Sequence, residues 1–172
     1  MFLARRGRPE GFRAIYLSYG SYLFTLAIRM LRNREAAEDA TQEAFAAAFR
    51  SLDDFRGDAR LKTWLYTILY RAALKVQEKG KNEIPSEVSA MDVPESGHSQ
   101  VEDQMAVKGV LEKLETRDRA VLVMSYWDDL SCREIGEILG FNENHVKVLL
   151  FRARERFARL WKAQENLGRG NT

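Results

Sequence analysis

The segment from Ser131 to Arg156 constrains the fold of this chain most, because it has the pattern of two helices joined by a tight turn. Ser131 and Glu134 have capping-box spacing, in which a hydroxyl and a carboxylate satisfy free amides at a helix start. Gly140 stands where a left-handed helix end costs least, and Asn142 is suited to cap the next helix. That second helix has one apolar stripe, formed by Val146, Leu149, Leu150, Ala153, Phe157, Leu160 and Trp161. The pattern predicts a helix-turn-helix.

The second helix of this segment is also basic. Its other faces carry the cations Lys147, Arg152, Arg154, Arg156 and Arg159. A basic helix in this position can enter the major groove of DNA, as the second helix of a helix-turn-helix does. The alternative is an amphipathic helix pair whose arginines are merely solvated. The segment alone does not separate the two interpretations, because the motif has many look-alikes.

Charge is distributed unevenly along the 172 residues. Residues 1–79 carry 14 Lys and Arg against 9 Asp and Glu, residues 80–103 carry 1 against 6, and residues 104–172 carry 12 against 10. Two basic modules around an acidic stretch favour a polyanionic partner over a small substrate. Residues 80–103 also contain two prolines and little periodicity. We therefore predict helical domains at 1–79 and 104–172, joined by a flexible acidic linker at 80–103.

Several classes of function are disfavoured by the composition. The lone cysteine, Cys132, excludes an internal disulfide and fits a reducing cytoplasm. The two histidines, His98 and His145, lack the spacing of metal ligands. The sequence has no run of about 18 apolar residues and no defensible pairing of nucleophile and base. We expect a cytoplasmic protein without membrane insertion, metal, cofactor or catalytic residues.

Helical periodicity runs through nearly the whole chain and predicts an all-α fold. In the N-terminal module it predicts one helix at about Glu10–Leu31, a second after a cap at Asn33, and a third at about Ala59–Glu78. The outer face of the second helix is acidic and polar, with Glu38, Asp39, Gln42 and Glu43. That face is either simply solvated or a docking surface for a basic partner.

The third helix combines basic and aromatic residues. The residues predicted to project outward are Arg60, Lys62, Tyr66, Tyr70, Arg71 and Lys75. Such a combination suits single-stranded nucleic acid, because cations hold phosphates while rings stack on bases. The alternative is that the aromatic rings belong to the core and the cations to solvent.

Two long motifs make the chain resemble a known family. The first is AEDATQEAFAAAFRSLDDFRGDARLKTWLY, residues 37–66, and the second is LETRDRAVLVMSYWDDLSCREIGEILGF, residues 114–141, followed by LFRARERF, residues 150–157. Together they resemble the two conserved domains of RNA polymerase sigma factors of the extracytoplasmic-function (ECF) type. The resemblance implies a three-to-four-helix region-2-like domain, a helix-turn-helix region-4-like domain, and promoter-specific initiation by core RNA polymerase.

The resemblance also implies partners and site residues. The partners are core RNA polymerase, promoter DNA and an anti-sigma factor. The implied polymerase-binding residues are Asp39, Gln42 and Glu43. The residues implied for melting of the −10 element are Arg56, Arg60, Lys62, Trp64, Tyr66, Tyr70 and Arg71. The residues implied for reading the −35 element are Arg133, Asn144, His145, Lys147, Val148, Arg152 and Arg154.

The chain departs from the family pattern in both domains. Arg71 and Lys75 stand where such factors usually have Asn and Asp, and the recognition helix has Asn144-His145 and Val148-Leu149 where Gly-Thr and Ser-Arg are common. We predict that Asn144, His145, Val148 and Leu149 face the groove and alter specificity. The alternative function is a sigma-like interaction protein that titrates core polymerase or an anti-sigma factor without reading promoters.

Overall fold

The computed structural model describes residues 9–80 and 101–169, and every regular element in those two ranges is an α-helix. This confirms the all-α prediction. The helices are α1 (Pro9–Leu31), α2 (Arg34–Arg50), α3 (Leu61–Gly80), α4 (Val101–Glu112), α5 (Thr116–Tyr126), α6 (Cys132–Leu139) and α7 (Glu143–Arg169). None of the described helices is long and apolar enough to cross a membrane. The chain divides into two compact units.

The first unit is a bundle in which α1, α2 and α3 each pack on the other two. Between α1 and α2 the chain reverses at Arg32, which adopts a left-handed φ of 57°. The Oδ1 atom of Asn33 then accepts a hydrogen bond of 2.8 Å from the Ala36 amide, which confirms the predicted cap. The core of this unit includes Leu23, Leu26, Met30, Ala37, Ala40, Ala44, Leu65 and Leu69.

Two aromatic residues of α3 lie where the sequence did not place them. Tyr66 and Tyr70 are buried, so the prediction that they project outward is wrong. The physical reason is that α3 packs against both α1 and α2, so its buried surface is wider than the single stripe read from the sequence. Arg60, Arg71 and Lys75 are exposed, and Lys62 is half-buried.

The second unit is built around α7, which packs against α5 and α4. Its core includes Val110, Leu114, Ala120, Val121, Met124, Ile135, Val146, Leu150 and Ala153. Two charged residues of α5 are buried with these apolar residues. Arg119 donates a hydrogen bond of 2.6 Å to the Leu114 carbonyl oxygen, and the Asp118 carboxylate accepts one from Arg156 of α7. Both buried charges therefore have partners, as burial in a low-dielectric interior requires.

The predicted linker falls mostly outside the described residues. α3 ends at Gly80 and α4 begins at Val101, so the first residue and the last three residues of 80–103 are helical. The division into domains at 1–79 and 104–172 stays a prediction.

Candidate nucleic-acid and polymerase interfaces

A helix-turn-helix is formed by α6 and α7, and both helix starts are capped as predicted. The amide and hydroxyl of Ser131 donate hydrogen bonds of 3.0 and 2.8 Å to Oε2 of Glu134, and the Ser131 hydroxyl oxygen accepts one of 3.2 Å from the Glu134 amide. At the start of α7, Oδ1 of Asn142 accepts a hydrogen bond of 2.8 Å from the His145 amide. Local side-chain bonds therefore fix where both helices begin.

The turn between α6 and α7 depends on two glycines. Gly140 has a φ of 76°, a left-handed conformation that glycine adopts without strain. Gly136 lies against the chain just past the turn, and its carbonyl oxygen accepts a hydrogen bond of 2.9 Å from the Phe141 amide. A Cβ atom at Gly136 would lie 2.5 Å from the Phe141 carbonyl oxygen. The backbone at Phe141 therefore leaves no room for a side chain at position 136.

The exposed face of α7 holds most of the predicted −35 contacts. Those exposed on α7 are Asn144, His145, Lys147, Val148, Arg152 and Arg154, and Arg133 is exposed on α6. Leu149 is buried, so the prediction that it faces the groove is wrong. Leu149 lies one helical turn from both Val146 and Ala153, which are buried on the face that packs into the core.

Three of these side chains already have neighbours within the second unit. Lys147 Nζ lies 2.7 Å from Glu143 Oε1, in the favourable order with Glu preceding Lys by four residues. The Arg154 guanidinium lies 5.4 Å from the centroid of the Tyr126 ring, and the His145 ring stacks on Phe141 at 4.3 Å. Arg152, by contrast, is exposed and has no hydrogen bond or ion pair with any described residue.

The Glu143–Lys147 pair shifts the titration of both groups. The hydrogen bond from Lys147, followed by its charge, lowers the pKa of Glu143, and the positive charge of Arg133 contributes in the same direction. Glu143 in turn raises the pKa of Lys147. A lowered carboxyl pKa means that the contribution of the pair is present at neutral pH and is lost as pH falls through that pKa. The effect of Arg133 on the pKa of Glu143 also indicates that Arg133 of α6 lies close to the start of α7.

The acidic face of α2 is solvent-accessible along most of its length. Asp39 and Gln42 are exposed, and neither has a hydrogen bond or ion pair with a described residue. Glu43 is half-exposed, and its Oε1 lies 3.4 Å from Arg50 Nη2 and 4.0 Å from Lys75 Nζ. The structure therefore places the three predicted polymerase-binding residues on one accessible surface, with Glu43 partly neutralised by neighbouring cations.

The predicted −10 residues separate into exposed cations and packed rings. Arg56, Arg60 and Arg71 are exposed. Trp64 is half-buried and its ring lies 4.8 Å from the Phe55 ring. The Lys62 ammonium lies 5.3 Å from the centroid of the buried Tyr66 ring. The three arginines are exposed to solvent, whereas Tyr66 and Tyr70 cannot stack on bases without rearrangement of the core.

Two features of these surfaces were missed by sequence reasoning. A cleft of about 780 Å³ lies between α1 and the loop 51–60, and its walls include Ile15, Tyr19, Phe55 and Arg60. Phe151 is exposed on α7, although hydrophobicity alone would assign it to the core.

No group of three or more His, Cys, Asp or Glu side chains that could hold a metal ion occurs among the described residues.

Comparison with known proteins identifies both units. Residues 15–81 match the model of sigma-70 region 2, and residues 104–157 match that of sigma-70 region 4. The chain is 31% identical to the ECF RNA polymerase sigma factor SigW of Bacillus subtilis over 166 residues, which cover 88% of this chain and 89% of that protein. It is 34% identical to the RNA polymerase sigma factor YlaC of the same organism over 149 residues, 81% of this chain and 86% of that protein.

A solved structure has the same fold. The sigma factor RpoE of Bartonella quintana, crystallised with the anti-sigma factor NepR, superposes with a TM-score of 0.71 at 24% identity, covering 88% of this chain and 96% of that one. Because the two regions occur in order and both relatives are matched over most of their length, the chain belongs to the ECF family of RNA polymerase sigma factors, which bind core polymerase and direct it to promoters.

Proposed function

We propose that the exposed face of α7 reads the −35 element of the promoters that this sigma factor selects. The observation that carries the proposal is the exposure of Asn144, Lys147, Val148 and Arg152 on the second helix of a fully capped helix-turn-helix. Cations of this face bind phosphates, while its uncharged side chains reach base edges. Arg133 on α6 adds a phosphate contact next to the start of α7.

The acidic face of α2 docks on core polymerase in this proposal. Asp39 and Gln42 are exposed and have no partner among the described residues, which leaves their full hydrogen-bonding capacity for another protein. Glu43 exchanges its contacts with Arg50 and Lys75 for cations of the polymerase. Complementary charge of this kind sets the orientation and rate of docking more than its final affinity.

The loop 51–60 and the start of α3 hold the melted −10 strand. Arg56, Arg60 and Arg71 supply exposed positive charge, and Lys62 and Trp64 stand in the first turn of α3. The cleft next to Arg60 offers apolar walls, including Tyr19 and Phe55, to an unpaired base. Tyr66 and Tyr70 support this surface from within the core instead of touching DNA.

We further propose a cytoplasmic protein that performs no catalysis of its own and is held inactive by an anti-sigma factor. The sigma factor RpoE, which has the same fold, was crystallised with the anti-sigma factor NepR, and this supports a partner of the same kind here. The binding energy of this subunit shifts promoter DNA between paired and melted states, and RNA synthesis belongs to the polymerase.

The second candidate is a sigma-like protein that titrates core polymerase or an anti-sigma factor without reading promoters. It is favoured by Val148, which is exposed on α7 where related factors commonly have serine, because the hydrogen bond that a serine hydroxyl could make to a base edge is lost.

Photo-crosslinking in the assembled holoenzyme separates the two candidates. A photoreactive residue replaces Lys147 or Arg152 in the full-length chain, which is then mixed with core polymerase and fragments of genomic DNA. The proposal predicts crosslinked fragments that share a sequence motif at both positions. A crosslinker at Glu165, exposed far along the same helix, is the control and yields no shared motif. Normal core binding without any enriched motif at Lys147 or Arg152 favours the titrating protein.

A further inference from the structure

Two large apolar side chains are exposed on the recognition helix. Val148 is 46% exposed and Phe151 is 59% exposed. Phe151 follows Val148 by three positions on α7, so their side chains are neighbours on one side of the helix. Both lie opposite the buried line of Val146, Leu150 and Ala153. They therefore form an apolar ridge at the point of the helix farthest from its own core.

Cations flank this ridge on both sides. At about 3.6 residues per turn, Lys147 lies to one side of the Val148–Phe151 line and Arg152 to the other, and both are exposed. A partner of this surface must be apolar at its centre and negatively charged along both edges. The major groove of duplex DNA has this arrangement, with phosphates on both rims and the C5-methyl groups of thymine on its floor.

We propose that Val148 and Phe151 contact thymine C5-methyl groups in the −35 duplex and so make this sigma factor select A·T pairs at the bases they cover. The inference rests on the proposed function of α7 and adds to it the chemical group that is read. The thymine methyl is the only apolar group that distinguishes base pairs in the major groove. Contact with an aliphatic or aromatic side chain removes it from water, whereas cytosine in the same place offers no methyl.

The two side chains of the ridge are conformationally restricted before they bind DNA. Val148 is β-branched and has one strongly preferred rotamer in a helix, so little side-chain entropy is lost on binding. Phe151 has a rigid ring with a large apolar area. The flanking Lys147 and Arg152 fix the depth and register of the helix through phosphates without choosing a sequence.

Thymidine and deoxyuridine differ only by the C5-methyl group, so replacing one by the other tests the proposed contact directly. Duplexes that the full-length chain selects with core polymerase from a library randomised in the −35 region are resynthesised with deoxyuridine in place of each thymine in that region. Competition binding of holoenzyme then gives the ratio of affinities for the two forms. We expect the wild-type chain to prefer thymine by about three- to fourfold for each contacted methyl, as burial of one such group predicts.

Variants connect the preference to the two side chains. Val148→Ser and Phe151→Ala should each reduce the thymine preference, and the double variant should abolish it. Leu17→Ser, an exposed apolar residue of α1, is the matched control and should keep the wild-type ratio. If the wild type binds a selected sequence equally well with thymidine and with deoxyuridine, the inference is wrong but the proposed function stands. The same conclusion follows if the double variant keeps the preference for thymidine. Absence of any selected sequence rejects the proposed function, and the inference with it.

Discussion

Arg156 donates a hydrogen bond to the carboxylate of Asp118, and this ion pair joins the recognition helix α7 to α5. The Asp118 side chain is only 3% exposed, whereas that of Arg156 is 44% exposed. The hydrogen bond and the charge of Asp118 raise the pKa of Arg156. Arg156 lies five residues beyond Phe151, the last residue of the exposed ridge, so the pair anchors the helix outside its proposed DNA-binding face.

Replacing Arg156 by Met should destabilise the protein, because it leaves the buried Asp118 carboxylate without its cation. We expect the Tm of the full chain to fall by at least about 4 °C. The matched control is Arg159→Met, since Arg159 is exposed and has no ion pair with a described residue. Equal Tm values for the two variants would contradict a structural role of the pair.

Gly136→Ala should disrupt the helix-turn-helix, because the new Cβ atom would lie 2.5 Å from the Phe141 carbonyl oxygen. Overpacking of this kind costs about 1–3 kcal/mol, and we expect a lower Tm together with weaker DNA binding. Gly20→Ala provides the contrast, since nothing lies within 4 Å of a Cβ atom at that position in α1. That variant should gain about 0.5–1 kcal/mol, because alanine favours a helix interior over glycine. Thermal unfolding of both variants should show a lower Tm for Gly136→Ala and a higher Tm for Gly20→Ala than for the wild type.

Glu143→Gln should tighten DNA binding. The change frees Lys147, whose ammonium lies 2.7 Å from the carboxylate, and it removes a negative charge next to the phosphates. We expect an increase of about two- to fivefold in affinity at low salt, shrinking as salt is raised. Glu165→Gln makes the same charge change far along α7 and should have little effect. Salt titrations of binding to one selected duplex would show no difference between the variants if Lys147 does not approach DNA.

Asp39→Lys should weaken assembly with core polymerase. Reversing the charge of an exposed residue on the acidic face places like charges together at the docking surface, and we expect a loss of about tenfold in affinity. Glu165→Lys, with the same reversal in the second unit, should assemble normally. Binding of labelled chain to core polymerase in the absence of DNA measures this step alone. A normal affinity for the Asp39 variant would remove the acidic face of α2 from the interface.

Features fixed by local interactions could be predicted from the sequence. The cap at Asn33, the capping box of Ser131 and Glu134, and the left-handed Gly140 depend on residues within one turn of the chain, and all three are confirmed. The all-α fold class followed from the helical periodicity of apolar residues along the chain.

Features set by packing between distant elements could not be predicted as well. The burial of Tyr66 and Tyr70 depends on α3 contacting two helices at once. Leu149 was assigned to both the core and the groove, and only the position of α7 against the core shows that it is buried. The Asp118–Arg156 pair joins residues 38 positions apart, and no short-range pattern indicates it.

Transcription from a genomic library tests whether this chain selects promoters. Core polymerase is mixed with the full-length chain and fragmented genomic DNA, and the 5′ ends of the transcripts are sequenced. We expect start sites that are absent with core polymerase alone and that share motifs near −10 and −35. Transcription from them should weaken when Lys147 and Arg152 are both replaced by Ala. A chain that binds core polymerase normally yet yields no new start sites would contradict promoter selection.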